Sequence, residues 1–126
     1  MKDLQIEGSH EGYFIPSVNF IWETGICEIA GESFLEETNK FYSPLMEWIE
    51  EYIAEKRPIT FNCKLSYFNT SSTKSLLDIF KVLKRYENNG GHVTVNWYFE
   101  KDDFDLKEAI EDYIIDTGLK INMIDY

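Results

Sequence analysis

Ile59-Thr60-Phe61-Asn62-Cys63-Lys64-Leu65-Ser66-Tyr67-Phe68, followed directly by Asn69-Thr70-Ser71-Ser72-Thr73-Lys74 and then by Ser75-Leu76-Leu77-Asp78-Ile79-Phe80, is the stretch that decides the fold. Its first part sets Ile59, Phe61, Cys63, Leu65 and Tyr67 against Thr60, Asn62, Lys64 and Ser66, the period of two of a strand with one apolar face. Its last part changes period. Leu76, Leu77, Phe80, Leu83 and Tyr86 form one stripe of a helix that runs to about Glu87. A half-oily strand that turns through a polar loop into an amphipathic helix is the unit of a sheet covered by helices on one face. Strands covered on both faces read instead as unbroken apolar runs.

The same pattern continues in both directions. Downstream, Asn88-Asn89-Gly90-Gly91 ends the helix where positive φ is needed, and Val93, Val95, Trp97 and Phe99 alternate with Thr94, Asn96 and Tyr98 as a second strand. Lys101-Asp102-Asp103 then leads into a helix with the stripe Leu106, Ala109, Ile110, Tyr113 and Ile114, closed by Gly118. Leu119, Ile121 and Met123 predict a final short strand. Upstream, Phe41, Leu45, Trp48, Ile49, Tyr52 and Ile53 mark a helix between about Thr38 and Glu55. Two starts fit it: Ser43 capping a helix opened by Pro44, or a start near Thr38 with Pro44 bending the first turns. Before it, Val18, Phe20 and Trp22, the turn Glu23-Thr24-Gly25 and the run Ile26 to Glu32 predict a β-hairpin, and Leu4 and Ile6 suggest a short edge strand.

Strands joined through helices pair in parallel with a right-handed crossover. The sequence therefore predicts an α/β fold over residues 1–126: a single domain with a mixed, mostly parallel sheet and three helices on one face. Ile59, Phe61, Cys63, Leu65, Val93, Val95 and Trp97 should face the helices, and Thr60, Asn62, Lys64, Thr94 and Asn96 should face away. No repeat or Pro/Ser-rich linker divides the chain.

With 44% hydrophobic and 16% aromatic residues, the 126-residue chain has the composition of a packed core rather than of disorder. A formal net charge of -11 repels phosphate backbones and anionic lipid, which weighs against nucleic acid and membrane partners. The amino terminus lacks the apolar run of a signal peptide and no stretch reaches membrane-spanning length, so a soluble, cytoplasmic protein is expected. Cys27 and Cys63 fall within strands and read as small core residues.

Catalytic signatures are missing from the sequence. No glycine motif cradles a phosphate, and His10 and His92 have no partner at metal-ligand spacing. Asp102, Asp103, Asp105, Glu108, Glu111 and Asp112 read as solvated helix residues. This predicts a protein without metal, cofactor or enzymatic activity. What stands out is the hydroxyl-rich run after Asn69. One residue, Asn69 or Thr70, is enough to cap a helix, and four consecutive hydroxyls exceed that need. A phosphate on Thr70 would lie at the positive end of the helix, within reach of Lys74 one turn on.

The run Asn69-Thr70-Ser71-Ser72-Thr73-Lys74 with Leu77-Asp78-Ile79-Phe80, together with Gly31-Glu32-Ser33-Phe34, Phe41, Pro44, Trp48-Ile49 and Trp97-Tyr98, resembles the SiaC-type regulatory phosphoproteins of bacteria over nearly the whole chain. The resemblance implies a fold like that of the anti-sigma-factor antagonist (STAS) domains, which carry a phosphorylatable hydroxyl residue just before the corresponding helix. It also implies phosphorylation of a threonine, here Thr70, by a dedicated protein kinase and its restoration by a PP2C-type phosphatase. The unmodified form would bind and activate a diguanylate cyclase, raising cyclic di-GMP. The sequence thus predicts a partner-switching regulator that docks through Asn69, Thr70, Ser71, Ser72 and Lys74 and is switched at Thr70, with Ser71 and Ser72 as alternate sites. The rival reading is a small enzyme or ligand-binding domain with a pocket near Thr70, Ser71 and Ser72.

Overall fold

In the computed structural model, which describes residues 2–126, nine elements follow the order read from the sequence. They are β1 (Leu4–Ile6), β2 (Ser17–Ile21), β3 (Ile26–Ser33), α1 (Thr38–Ile53), β4 (Ile59–Phe68), α2 (Thr70–Asn88), β5 (Val93–Phe99), α3 (Phe104–Thr117) and β6 (Ile121–Asp125). One six-stranded sheet has the strands in sequence order. β1, β2 and β3 pair antiparallel, while β3, β4, β5 and β6 pair in parallel, each crossover supplied by one helix.

The alternation decides which face the helices cover. Ile59, Phe61, Cys63, Leu65, Val95 and Trp97 are buried beneath Leu45, Ile49, Leu76, Phe80, Ile110 and Tyr113 of the three helices, with Val93 partly buried beside them. Trp97 is the largest fully enclosed side chain, and its indole N–H donates to the Leu65 carbonyl at 3.1 Å. Cys27 and Cys63 are free, buried thiols.

The opposite face is polar for a reason visible in the register. Gln5, Asn19, Glu28, Asn62, Asn96 and Asn122 pair in one row across all six strands. Asn122 Nδ2 donates to Asn96 Oδ1 at 3.0 Å, Asn96 Nδ2 to Asn62 Oδ1 at 2.8 Å, and Gln5 Nε2 to Asn19 Oδ1 at 3.1 Å. Amides bonded to one another in this way have no need of a helix above them.

The structure corrects the sequence reading at one place and decides it at another. Tyr67 does not continue the apolar face of β4. The pairing slips between Gly31 and Glu32, Ser66 is the extra residue, and Tyr67 emerges 48% exposed while Phe68 turns inward against Trp97 and Tyr113. Of the two starts the sequence allowed for α1, the structure has the one at Thr38, with Pro44 inside the helix on an exposed turn where the missing amide is tolerated.

Candidate functional site

Because β3 and β4 are parallel, their carboxyl ends meet at one edge of the sheet, and the helices that follow them start side by side there. That edge is where open α/β sheets hold their sites. Thr38 opens α1, Thr70 opens α2, and the two first turns are joined by a 2.6 Å hydrogen bond between Thr38 Oγ1 and Ser71 Oγ.

Asn69 builds the corner. Its extended backbone (φ -79, ψ 173) makes it the amino cap of α2, and its side-chain oxygen accepts from the Ser72 amide at 3.2 Å. Its backbone N–H donates to the Ser33 carbonyl at 2.9 Å and its Nδ2 to the Leu35 carbonyl at 3.0 Å, which ties the β3–α1 loop to the start of α2.

The four hydroxyl residues then separate by role. Ser72 is fully buried, and its Oγ donates to Asn69 Oδ1 at 2.6 Å. A hydroxyl has one proton, so the 2.9 Å contact from Ser33 Oγ to Ser72 Oγ has Ser33 as donor, and the 2.8 Å contact from Tyr42 Oη to Ser33 Oγ has Tyr42 as donor. The result is a directed chain, Tyr42 to Ser33 to Ser72 to Asn69, under the helix end. Burial pushes the Tyr42 phenol well above its ordinary range, which keeps that first proton in place. Ser71 is exposed but engaged by Thr38 and Asn69. Thr73 bonds back to the Asn69 carbonyl at 3.3 Å. Thr70 is exposed, and among the described residues no hydrogen bond holds its hydroxyl.

The structure therefore separates residues that the sequence grouped. Asn69, Thr70, Ser71 and Lys74 reach the surface at one corner, whereas Ser72, named from the sequence as a docking residue and an alternate site, lies fully buried beneath it with its hydroxyl turned to Asn69. Lys74 is 80% exposed and its ammonium meets Asp78 at 3.4 Å. Thr70, Ser71 and Lys74 form one wall of an open groove, and Glu36, Glu37 and Lys40 form the other. A second hollow lies at the far end of the helices, between Glu50, Lys56, Arg85, Tyr86 and His92, and holds none of the docking or phosphorylation residues expected from the sequence. Among the described residues no group of His, Cys, Asp or Glu could hold a metal, and no helix is long and apolar enough to cross a membrane.

The family described as SiaC family regulatory phosphoprotein matches residues 6–126. The chain belongs to that family. An uncharacterized protein of Pseudomonas aeruginosa strain UCBPP-PA14 is 27% identical over 114 residues, which is 90% of this chain and 88% of that protein. Among solved structures, SiaC of Pseudomonas aeruginosa superposes with a TM-score of 0.90 at 25% identity over 100% of both chains. The apo form of that SiaC superposes at 0.85 with 26% identity, covering 98% of this chain and 99% of the other. The crystal structure of the diguanylate cyclase SiaD in complex with its activator SiaC contains a chain that matches at 0.91 and 25% identity, covering 98% of this chain and 100% of that one.

One part of this SiaC-family surface escaped the sequence reading. Tyr13, Phe34 and Tyr67 are exposed by 43%, 40% and 48%, and their rings form a row, Tyr13 to Phe34 at 5.7 Å and Phe34 to Tyr67 at 6.4 Å. The only signal was Tyr67-Phe68, two aromatics in a row where strict alternation allows one inward residue.

Proposed function

We propose that this chain is a partner-switching regulator: unphosphorylated, it docks through the Asn69–Lys74 corner onto a diguanylate cyclase and activates it, and phosphorylation of Thr70 turns the docking off. A protein kinase would install the phosphate and a PP2C-type phosphatase would remove it, in the cytoplasm, with no catalytic role for the chain itself. The observation that carries this reading is the Thr70 hydroxyl. It is exposed and unengaged at the first position of α2, while its neighbours Ser71, Ser72 and Thr73 are tied to Thr38, Asn69 and Ser33. Membership of a family of regulatory phosphoproteins and the likeness to a SiaC bound to the cyclase it activates support the same reading.

The physics favours a switch that leaves the domain intact. A phosphate on Thr70 adds about -1.5 to -2 charges at the positive end of α2, where the helix amides and Lys40 and Lys74 offset the repulsion from Glu36 and Glu37 across the groove, so the isolated domain tolerates it. Burying the same hydrated dianion against a partner that offers no matching cation costs several kcal/mol. The test is cyclic di-GMP production by a diguanylate cyclase from the same organism, titrated with the wild-type protein, Thr70→Ala and Thr70→Glu. Wild type and Thr70→Ala should activate it. Thr70→Glu, which supplies one negative charge rather than two, should activate it less. Equal activation by all three, or by none, would remove the proposal.

A further inference from the structure

The groove beside Thr70 does not end at Lys74. Its wall of Glu36, Glu37 and Lys40 is shared with a second, apolar hollow whose other side is Tyr13 and whose lining includes Ile15, Leu35 and Phe41. Along the same rim stand Phe34 and Tyr67, giving a continuous surface with a polar half at Thr70 and an aromatic half beyond it.

Two features of the backbone make this half a built surface. The bulge at Ser66 turns Tyr67 out of the core, where the alternation of β4 would otherwise have buried it, and bulges of this kind re-aim side chains beside functional sites. Phe34 is clamped from both sides. Its backbone exchanges hydrogen bonds with Phe14 at 2.9 and 3.0 Å, and both of its chain neighbours, Ser33 and Leu35, have their carbonyls held by Asn69. The residue that caps the helix of Thr70 thus also positions Phe34, which ties the two halves together.

We propose that Tyr13, Phe34 and Tyr67 are the anchor of the cyclase-docking surface: they take apolar side chains of the effector flanked by Arg or Lys, while Thr70 decides whether the groove stays open. This rests on the functional reading above and names where its binding energy resides. Rigid, half-exposed aromatics are the side chains that dominate binding energy at protein interfaces. The partner's charge follows from the rim, where Glu11, Glu32, Glu36 and Glu37 stand beside the aromatics in the sequence or line the hollow, on a chain of net charge -11. Glu37 pairs with Lys40 at 3.4 Å and Glu32 lies 3.9 Å from the His10 ring, while Glu11 and Glu36 form no ion pair among the described residues. A phosphate on Thr70 draws on Lys40 and Lys74, which line its own groove, and fills the space between the two halves.

The experiment measures affinity for one diguanylate cyclase of the same organism with wild type, Tyr67→Ala, the double variant Tyr13→Ala/Tyr67→Ala, Thr70→Glu and, as a remote control, Ile115→Ala on the exposed face of α3. Circular dichroism and thermal unfolding verify that each variant is folded, and Tyr67→Ser replaces Tyr67→Ala if that variant is not. The proposal expects about a tenfold loss for Tyr67→Ala, a larger loss for the double variant, and less than a twofold change for Ile115→Ala. Tight binding by wild type with losses at Thr70→Glu but none at the tyrosines would overturn the anchor and leave the switch standing. Failure of wild type to bind any cyclase would overturn both.

Discussion

Ser72→Ala, two residues from the proposed switch, should destabilise the domain far more than any change at Thr70. The Ser72 hydroxyl is fully buried, donates to Asn69 Oδ1 at 2.6 Å and accepts from Ser33 at 2.9 Å. Removing it leaves Tyr42 and Ser33 with two protons and one mutual acceptor, so one buried O–H has no partner whichever way the pair turns. The lost hydrogen bond costs about 0.5 to 1.5 kcal/mol and the orphaned donor about 1 to 3 kcal/mol. Asn69 keeps the Ser72 amide as a donor, which limits the damage, and the net cost should be about 2 to 3 kcal/mol. A chain of 126 residues unfolds with an entropy of about 0.26 kcal/mol/K, so the melting temperature should fall by about 8 to 12 °C. Thr70→Ala removes an exposed hydroxyl with no hydrogen bond and should stay within about 0.5 kcal/mol of wild type. Urea and thermal unfolding of both variants would check this. Equal stability of Ser72→Ala and wild type would refute the directed chain under the helix end.

Three other outcomes follow from the same geometry. Gly25→Ala should cost about 2 to 4 kcal/mol, measured by urea unfolding, because Gly25 has φ 73 and a Cβ there would press on the Tyr52 hydroxyl and lie 2.5 Å from the Pro58 carbonyl oxygen. Asn69→Ala should cost about 1 to 3 kcal/mol by the same assay and raise hydrogen exchange in the first turn of α2, since it deletes the cap and the tie to Leu35 together. Stability should also fall above pH 9. Burial raises the thiols of Cys27 and Cys63 and the phenols of Tyr42 and Tyr113 above their ordinary values of 9.0 and 10.0, so the unfolded chain loses these protons first and binds fewer of them. The slope approaches about 1.4 kcal/mol per pH unit for each group above its own ordinary value, the thiols first, and unfolding midpoints at pH 8, 9 and 10 should show the decline that a protein without such groups would lack.

The fold was legible because most of each element repeats its own period. Ile59 to Leu65 and Val93 to Trp97 alternate strictly, and that alone put three helices on one face. The bulge was not legible. Tyr67 and Phe68 are both large aromatics, and a pattern of apolar residues cannot say which of two neighbours turns inward when the slip is set by pairing with β3. The start of α1 was ambiguous because Pro44 suits a first turn as well as an exposed interior one, and contact of Thr38 with Ser71 settles the matter only in three dimensions. At the candidate site, the sequence showed the hydroxyl excess at the start of α2, and the resemblance singled out Thr70. It could not separate Ser72 from its neighbours, because the partners that bury Ser72 come from β3 and α1, more than thirty positions away for Ser33.

The central claim is that one hydroxyl, on Thr70, decides docking. The measurement that tests it most directly is the dissociation constant of a diguanylate cyclase from the same organism for the unmodified chain and for the chain phosphorylated at Thr70 alone, verified by mass spectrometry. A buried dianion without a matching cation costs several kcal/mol, so the phosphorylated chain should bind at least about 100-fold more weakly while keeping its melting temperature. Dissociation constants within threefold of each other would contradict it.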